Sequence, residues 1–193
     1  ATPEPWVSVP NNVKDFYDLG TTISNNVSLT GGNTMGAFRL SLTDMQQQGM
    51  VPNTDFGKTT INGSASSNLT EKFTASLSVN YIKSGSNNLP TVGYNNENPV
   101  QQMVWAGRQV DFAQLRDYEN LPLADASTQA AGTPLNWNTI FQNNPYWVLN
   151  TNLNQFAKDR VIGNMNMKYT FADWFSVRLT SGTDYWSSKM TQR

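Results

Sequence analysis

The chain has 193 residues, a single-domain length, and only 14% of it is charged, against roughly 25% in ordinary soluble domains. Its polarity comes from Asn (24), Thr (20) and Ser (16), which suit water-filled spaces and exposed loops. A net charge of −1 leaves no basic footprint for nucleic acid, and without His or Cys there is no Ser-His-Asp or Cys-His arrangement, no conventional zinc site and no disulfide framework.

The N-terminal run Ala1-Thr2-Pro3-Glu4-Pro5-Trp6 has neither a basic segment nor an apolar one, so we expect either a removed leader or a start inside a larger protein. Strand-like alternation begins at Thr21. Ile23, Val27 and Leu29 share one face of a strand over Thr21–Thr30, with Ser24, Asn26 and Ser28 opposite. A second strand, Thr34–Asp44, sets Phe38, Leu40 and Leu42 against Arg39, Ser41 and Thr43, and Gly31-Gly32-Asn33 reads as the turn between them. An irregular link of about a dozen residues follows Asp44.

The third strand, Thr59–Asn68, has little apolar area beyond Ile61 and Ala65. The fourth, Phe73–Ile82, alternates most clearly: Phe73, Ala75, Leu77, Val79 and Tyr81 oppose Thr74, Ser76, Ser78 and Asn80. Leu69-Thr70-Glu71-Lys72 joins the two. A long connection then spans residues 83–160, too long to be structureless in a compact protein. Within it, Asn98-Pro99 offers a cap followed by proline at the first helical position, predicting a helix from about Pro99 to Asp117 with a break near Asp111. The last pair is Val161–Thr170 and Phe175–Trp186, joined by Phe171-Ala172-Asp173-Trp174.

Short turns within pairs and longer links between them are the threading of an outer-membrane β-barrel. Phe73 and Tyr81 stand about 27 Å apart along their strand, a spacing that tilt brings toward the height of a barrel's apolar band. Phe175, Tyr185, Tyr169 and Trp174 fit aromatic girdles at its edges. The expected fold is therefore all-β, an antiparallel up-and-down transmembrane β-barrel segment of about six strands, with residues 1–193 forming part of one domain. Short turns on the periplasmic side place the long loop outside the cell. The competing fold is a secreted β-sandwich with the same rings in its core, because lipid and protein interior both reward apolar surface.

Several segments resemble the SusC/RagA-like TonB-dependent outer-membrane transporters: Asn12-Val13-Lys14-Asp15-Phe16-Tyr17, then Asn26-Val27-Ser28-Leu29-Thr30-Gly31-Gly32-Asn33, and Phe38-Arg39-Leu40-Ser41 followed by Gln48-Gly49-Met50-Val51-Pro52-Asn53. Leu69-Thr70-Glu71-Lys72-Phe73 and Asn144-Pro145-Tyr146-Trp147 are similar to family segments as well. The resemblance implies a 22-stranded barrel in the bacterial outer membrane, closed by an N-terminal plug on which TonB pulls. It also implies a SusD-like lipoprotein lid over the mouth, and glycan or peptide as the imported substrate. Neither plug nor signal peptide is visible in this sequence, so the chain reads as a fragment of the barrel.

Six residues of the long loop, Trp105, Arg108, Tyr118, Trp137, Tyr146 and Trp147, belong to types that grip partners or stack on ligands. Facing the lid or the substrate is one reading, and packing the loop against its neighbours is the other. Arg39, Arg178 and Asp184 fall on the hydroxyl-and-amide side, where they line a passage, contact a plug or are simply solvated. Acidic pairs such as Asp15 with Asp18 and Asp117 with Glu119 read as surface charges rather than a glycosidase acid and base. No enzyme, metal or cofactor is expected. The alternative function is a carbohydrate-binding module built on the β-sandwich.

Overall fold

Long runs of alternating side chains are accommodated by six antiparallel strands in one sheet, and the computed structural model describes residues 5–138 and 140–193 of the chain. The first four residues of the N-terminal run discussed above lie outside the described residues. The strands are β1 (Thr21–Asn33), β2 (Gly36–Gln48), β3 (Asp55–Asn68), β4 (Phe73–Ser86), β5 (Asn154–Ala172) and β6 (Phe175–Gln192). They lie in sequence order, each paired only with its chain neighbours, so the sheet is an up-and-down meander with β1 and β6 as open edges. Register is continuous except for a bulge at Thr170/Ala172 beside the last turn.

Each strand runs further than its apolar alternation predicts. Alternation fades near Asp44, Ile82, Val161 and Trp186, yet the ladders continue to Gln48, Ser86, Asn154 and Gln192. Backbone pairing needs no apolar side chain, so the apolar stretch marks only one zone of each strand. The extension shortens the links accordingly. Gly49–Thr54 alone joins β2 to β3, and the long connection covers 87–153 rather than 83–160.

The first hairpin also turns later than expected. Gly31 and Gly32 lie within β1, opposite Phe38 and Ala37, and the turn is Thr34-Met35, closed by the Asn33 side chain accepting from the amides of Met35 (2.9 Å) and Gly36 (3.1 Å). The glycines serve the neighbouring ring instead: a Cβ on Gly31 would stand 2.6 Å from Cε1 of Phe38. Among the described residues positive φ occurs at Asn53, Gly93 and Gly132 and not in this turn. The expected turn at Leu69–Lys72 is present, with the Thr70 hydroxyl accepting from the amides of Lys72 (3.2 Å) and Phe73 (3.0 Å).

The buried core of the chain lies at the long-loop end of the sheet. Helix α1 (Asn12–Phe16), the Gly49–Thr54 link and the long connection pack there around Phe16, Phe112, Leu115, Tyr146 and Leu149. The helix expected over 99–117 is shorter: α2 spans Pro99–Trp105, followed by 3-10 turns at Phe112–Leu115 and Tyr118–Asn120. A third helix, α3 (Pro145–Thr151), adds to the expected set, and it opens on the same Asn-Pro signal as α2. In both, the asparagine side chain accepts from the first free amides while proline occupies a position where no donor is needed. Among the described residues no helix is long and apolar enough to cross a membrane, which says nothing about strands.

Buried amides knit this cap together and tie it to the strands. Asn144, fully buried, also donates to the carbonyls of Leu115 (3.0 Å) and Leu135 (3.3 Å). Asn88 donates to Asn53 (2.8 Å) and Leu149 (2.9 Å) and accepts from the Asn154 amide (3.2 Å), joining the ends of β4 and β5 to α3. Asn12 bridges α1 to the Val110–Phe112 segment through both of its side-chain ends. Replacing Asn144 by Ala removes a helix cap and orphans two buried carbonyls, a loss on the order of 2–4 kcal/mol for the cap. Hydrogen exchange in the N144A variant should accelerate at the Tyr146 and Trp147 amides and leave the β4 and β5 amides unchanged; equal protection throughout would refute this role.

Candidate functional site

Because cross-strand partners share a face, the register sorts every strand residue onto one side or the other. On one side the rows read Val27-Leu42-Ile61-Tyr81-Val161-Tyr185, then Leu29-Leu40-Gly63-Val79-Gly163-Thr183, then Gly31-Phe38-Ala65-Leu77-Met165-Ser181. No second sheet lies against these rows among the described residues. Val27 is 72% exposed, Leu77 50% and Val177 48%, large values for apolar side chains in neighbouring rows.

This apolar field has sharp borders. Toward the long-loop end the next row on the same face is Asn25-Asp44-Thr59-Lys83-Asp159-Ser187, fully polar. Tyr81 stands at the border and donates its hydroxyl proton to Asp159 in the row beyond. Toward the short turns the border is aromatic. Phe73 and Tyr169 have ring centres 6.3 Å apart, Tyr169 and Phe171 4.6 Å, Phe171 and Phe175 5.3 Å, and Trp174 and Phe175 5.8 Å. Trp174, at the tip, is 87% exposed.

The opposite face is built mainly from hydroxyls, amides and cations, with Ile82, Ile162 and Trp186 among them and the stacked Phe56 and Phe156 toward the long-loop end. Its middle rows read Ser28-Ser41-Asn62-Asn80-Ile162-Asp184 and Thr30-Arg39-Ser64-Ser78-Asn164-Gly182. The charges on this face are Arg39, Lys58, Lys158, Arg160, Lys168 and Arg178, with Asp184 as the one carboxylate among the described strand residues. Arg160 forms a two-pronged pair with Asp184, its Nε donating at 2.8 Å and its Nη2 to the other carboxylate oxygen. Lys158 places its ammonium 4.9 Å from the Trp186 ring centre. Lys168 and Arg178 stand directly opposite each other across β5 and β6. Arg39 overlooks a shallow cavity of about 320 Å³ that Asn62, Ser78, Asn80 and Asn164 help to line.

Of the three charged residues that the sequence singles out on this face, Arg39 and Arg178 have no carboxylate partner among the described residues, whereas Asp184 is held by Arg160, which the linear pattern does not mark. Counting charge by strand parity, rather than along the chain, is the signal that finds Lys58, Lys158, Arg160 and Lys168.

The six loop candidates do not form one site. Tyr146 is buried against Phe16, ring centres 5.2 Å apart, and the Arg116 guanidinium carbon lies 5.4 Å from the Tyr146 ring centre. Burial pushes the Tyr146 phenol above its ordinary value, and Arg116 partly opposes that rise. Tyr118 and Trp137 pack on the same core, and Trp147 is half-buried on α3 with its amide capped by Asn144. Trp105 and Arg108 remain exposed. Trp105 meets Tyr94, a residue outside that set of six, with ring centres 6.3 Å apart on the outer surface of the loop. No group of three carboxylates gathers into a metal cradle among the described residues.

The chain matches no protein-family model and no curated protein sequence.

The Arg160–Asp184 pair joins β5 to the edge strand β6 on an exposed face where water screens it, so it holds side-chain direction more than it holds the fold. Asp184→Asn is expected to leave the denaturant midpoint of unfolding unchanged; a clear fall in that midpoint would give the pair a structural role.

Proposed function

We propose that this chain is a sector of an outer-membrane transport barrel, its apolar face against lipid and its polar face against a water-filled passage. The observation that carries the reading is an apolar face left uncovered and bounded at both ends, by Tyr81, Tyr185 and a polar row above and by the Phe73–Trp174 aromatic group below. In water such a face is a liability. In a bilayer it is the surface that a barrel wall presents, flanked by aromatic girdles. The height agrees: the ten-residue rise from Phe175 to Tyr185 is about 34 Å along the strand, or about 26 Å at a barrel's ordinary tilt. A β-sandwich needs a second sheet on this face, and its absence among the described residues weighs against that fold.

The open edges of β1 and β6 fit the same reading. Unpaired strand edges in hydrocarbon cost several kcal/mol per backbone group, so a membrane sheet closes on itself through further strands. The SusC/RagA resemblance gives that closure a number, 22 strands, together with a plug coupled to TonB, a SusD-like lid and glycan or peptide cargo. With the short turns facing the periplasm, the cap and its exposed Tyr94–Trp105 pair lie at the outer mouth, within reach of a lid or an incoming substrate. The work of such a protein is passage and recognition rather than bond chemistry.

Single-cysteine probes separate the faces. A fluorophore at Val79 is expected to be quenched by lipid-borne quenchers and shielded from water-soluble ones, with the reverse at Ser78; equal access of water-soluble quenchers to both positions would end the membrane reading. Charge gives a second measure. Leu77→Arg, midway between the borders, should cost about 2–4 kcal/mol in folding into lipid, whereas Ser66→Arg on the polar face should cost little.

A further inference from the structure

We propose that the polar face of this sheet recognises solutes bearing carboxylate groups, with Arg39 as the residue that grips them; this rests on the reading of that face as the wall of a water-filled passage. The chain as a whole is nearly neutral, at −1. Its sheet is not: the polar face carries six cations against Asp184, while Asp44, Asp55 and Asp159 fall on the other face, beyond the apolar rows. A passage wall of one sign raises the local concentration of counter-charged solute and speeds its arrival.

The cations are spread along the height of the wall rather than clustered at one rim. Lys58 and Lys158 occupy one row near the long-loop end, Arg39 lies in the middle, and Lys168 and Arg178 face each other near the short turns. Like charges placed directly opposite each other on a sheet destabilise it. An anion between Lys168 and Arg178 reverses the sign of that interaction.

Arg39 is the best-formed point of recognition. It makes no hydrogen bond or ion pair among the described residues, and it borders the cavity of about 320 Å³ with Asn62, Ser78, Asn80 and Asn164. A guanidinium fork matches a carboxylate in two-pronged fashion, and amides and hydroxyls beside it supply both donors and acceptors. Acidic oligosaccharides and acidic peptides share this chemistry.

The test uses the protein extracted in detergent from its native membrane and titrated with three probes of equal length: hexagalacturonate, hexaglutamate and neutral maltohexaose. At least one acidic probe is expected to bind about tenfold or more tightly than maltohexaose, to weaken as salt rises, and to lose about tenfold on Arg39→Gln with partial rescue by Arg39→Lys. Which acidic probe binds distinguishes a sugar cargo from a peptide one. Lys168→Gln with Arg178→Gln provides a second variant pair, expected to flatten the salt dependence. Equal binding of neutral and acidic probes, no binding of either acidic probe, or acidic binding that survives R39Q would overturn the proposal, the second leaving the wall's charge to an acidic part of the protein itself and the third taking the grip away from Arg39. None of these results alters the lipid-quenching pattern at Val79 and Ser78, so failure here and failure of the membrane reading are told apart.

Discussion

Antiparallel register, continuous but for the bulge beside the last turn, is the constraint on which the rest of this molecule depends. A strand sends successive side chains to opposite sides, and six strands paired in register up to the Thr170/Ala172 bulge extend that division across the sheet. A shift of one residue between β3 and β4 would carry Tyr81 and Leu77 to the hydroxyl side and bring Ser78 and Asn80 to the apolar side. Register is held by the short turns. Asn33 and Thr70 fold their side chains back onto backbone amides, which fixes where each hairpin reverses. At the other end the Asn88 amide joins β4, β5 and the cap, closing the long connection onto the sheet.

The two ends of the sheet solve different problems. Short turns need only satisfy local amides, and the rings around them stay exposed. The long connection must satisfy many backbone groups with few regular elements, and it does so with asparagine and glutamine. Gln102 donates to the Asn143 carbonyl at 2.8 Å, and Asn136 donates to both Gln102 (3.0 Å) and Asn143 (3.0 Å). The abundance of asparagine thus has a structural use in the cap as well as a solvating one on the polar face. Around this polar scaffold a small aromatic core forms from residues far apart in sequence, with Phe16 meeting Phe112 and Tyr146.

What the sequence discloses follows from how local each signal is. Side-chain alternation in Phe73–Tyr81 and Phe175–Leu179 is a period-two pattern readable without partners, and the face assignments there agree with the register. The Asn98-Pro99 start of α2 is equally local. Strand ends escape such a reading because in the outer zones the face of the apolar rows turns polar, while apolar residues such as Phe56, Phe156 and Met190 fall on the other face, so the pattern breaks where the hydrogen bonding does not. Gly31-Gly32 resembles a turn because glycine usually marks one; here Phe38 lies over the space a side chain would fill. The loop residues Tyr118, Trp137 and Tyr146 belong to the core because of contacts with Phe16 and its neighbours, which no sequence spacing reveals. The cation-rich face is hidden for the same reason. Its members run from Arg39 to Arg178, and only the register brings them together.

The extra length of the strands has a mechanical outcome. β6 continues from Tyr185 to Gln192, a further rise of about 24 Å along the strand, with β5 paired beside it throughout. The cap therefore stands on a pedestal of hydrogen-bonded ribbon, clear of the apolar rows, and its small core forms apart from them. Sequence drift on the outer surface of the cap is thereby uncoupled from the apolar rows beneath it, and the two halves of the molecule are free to diverge at different rates.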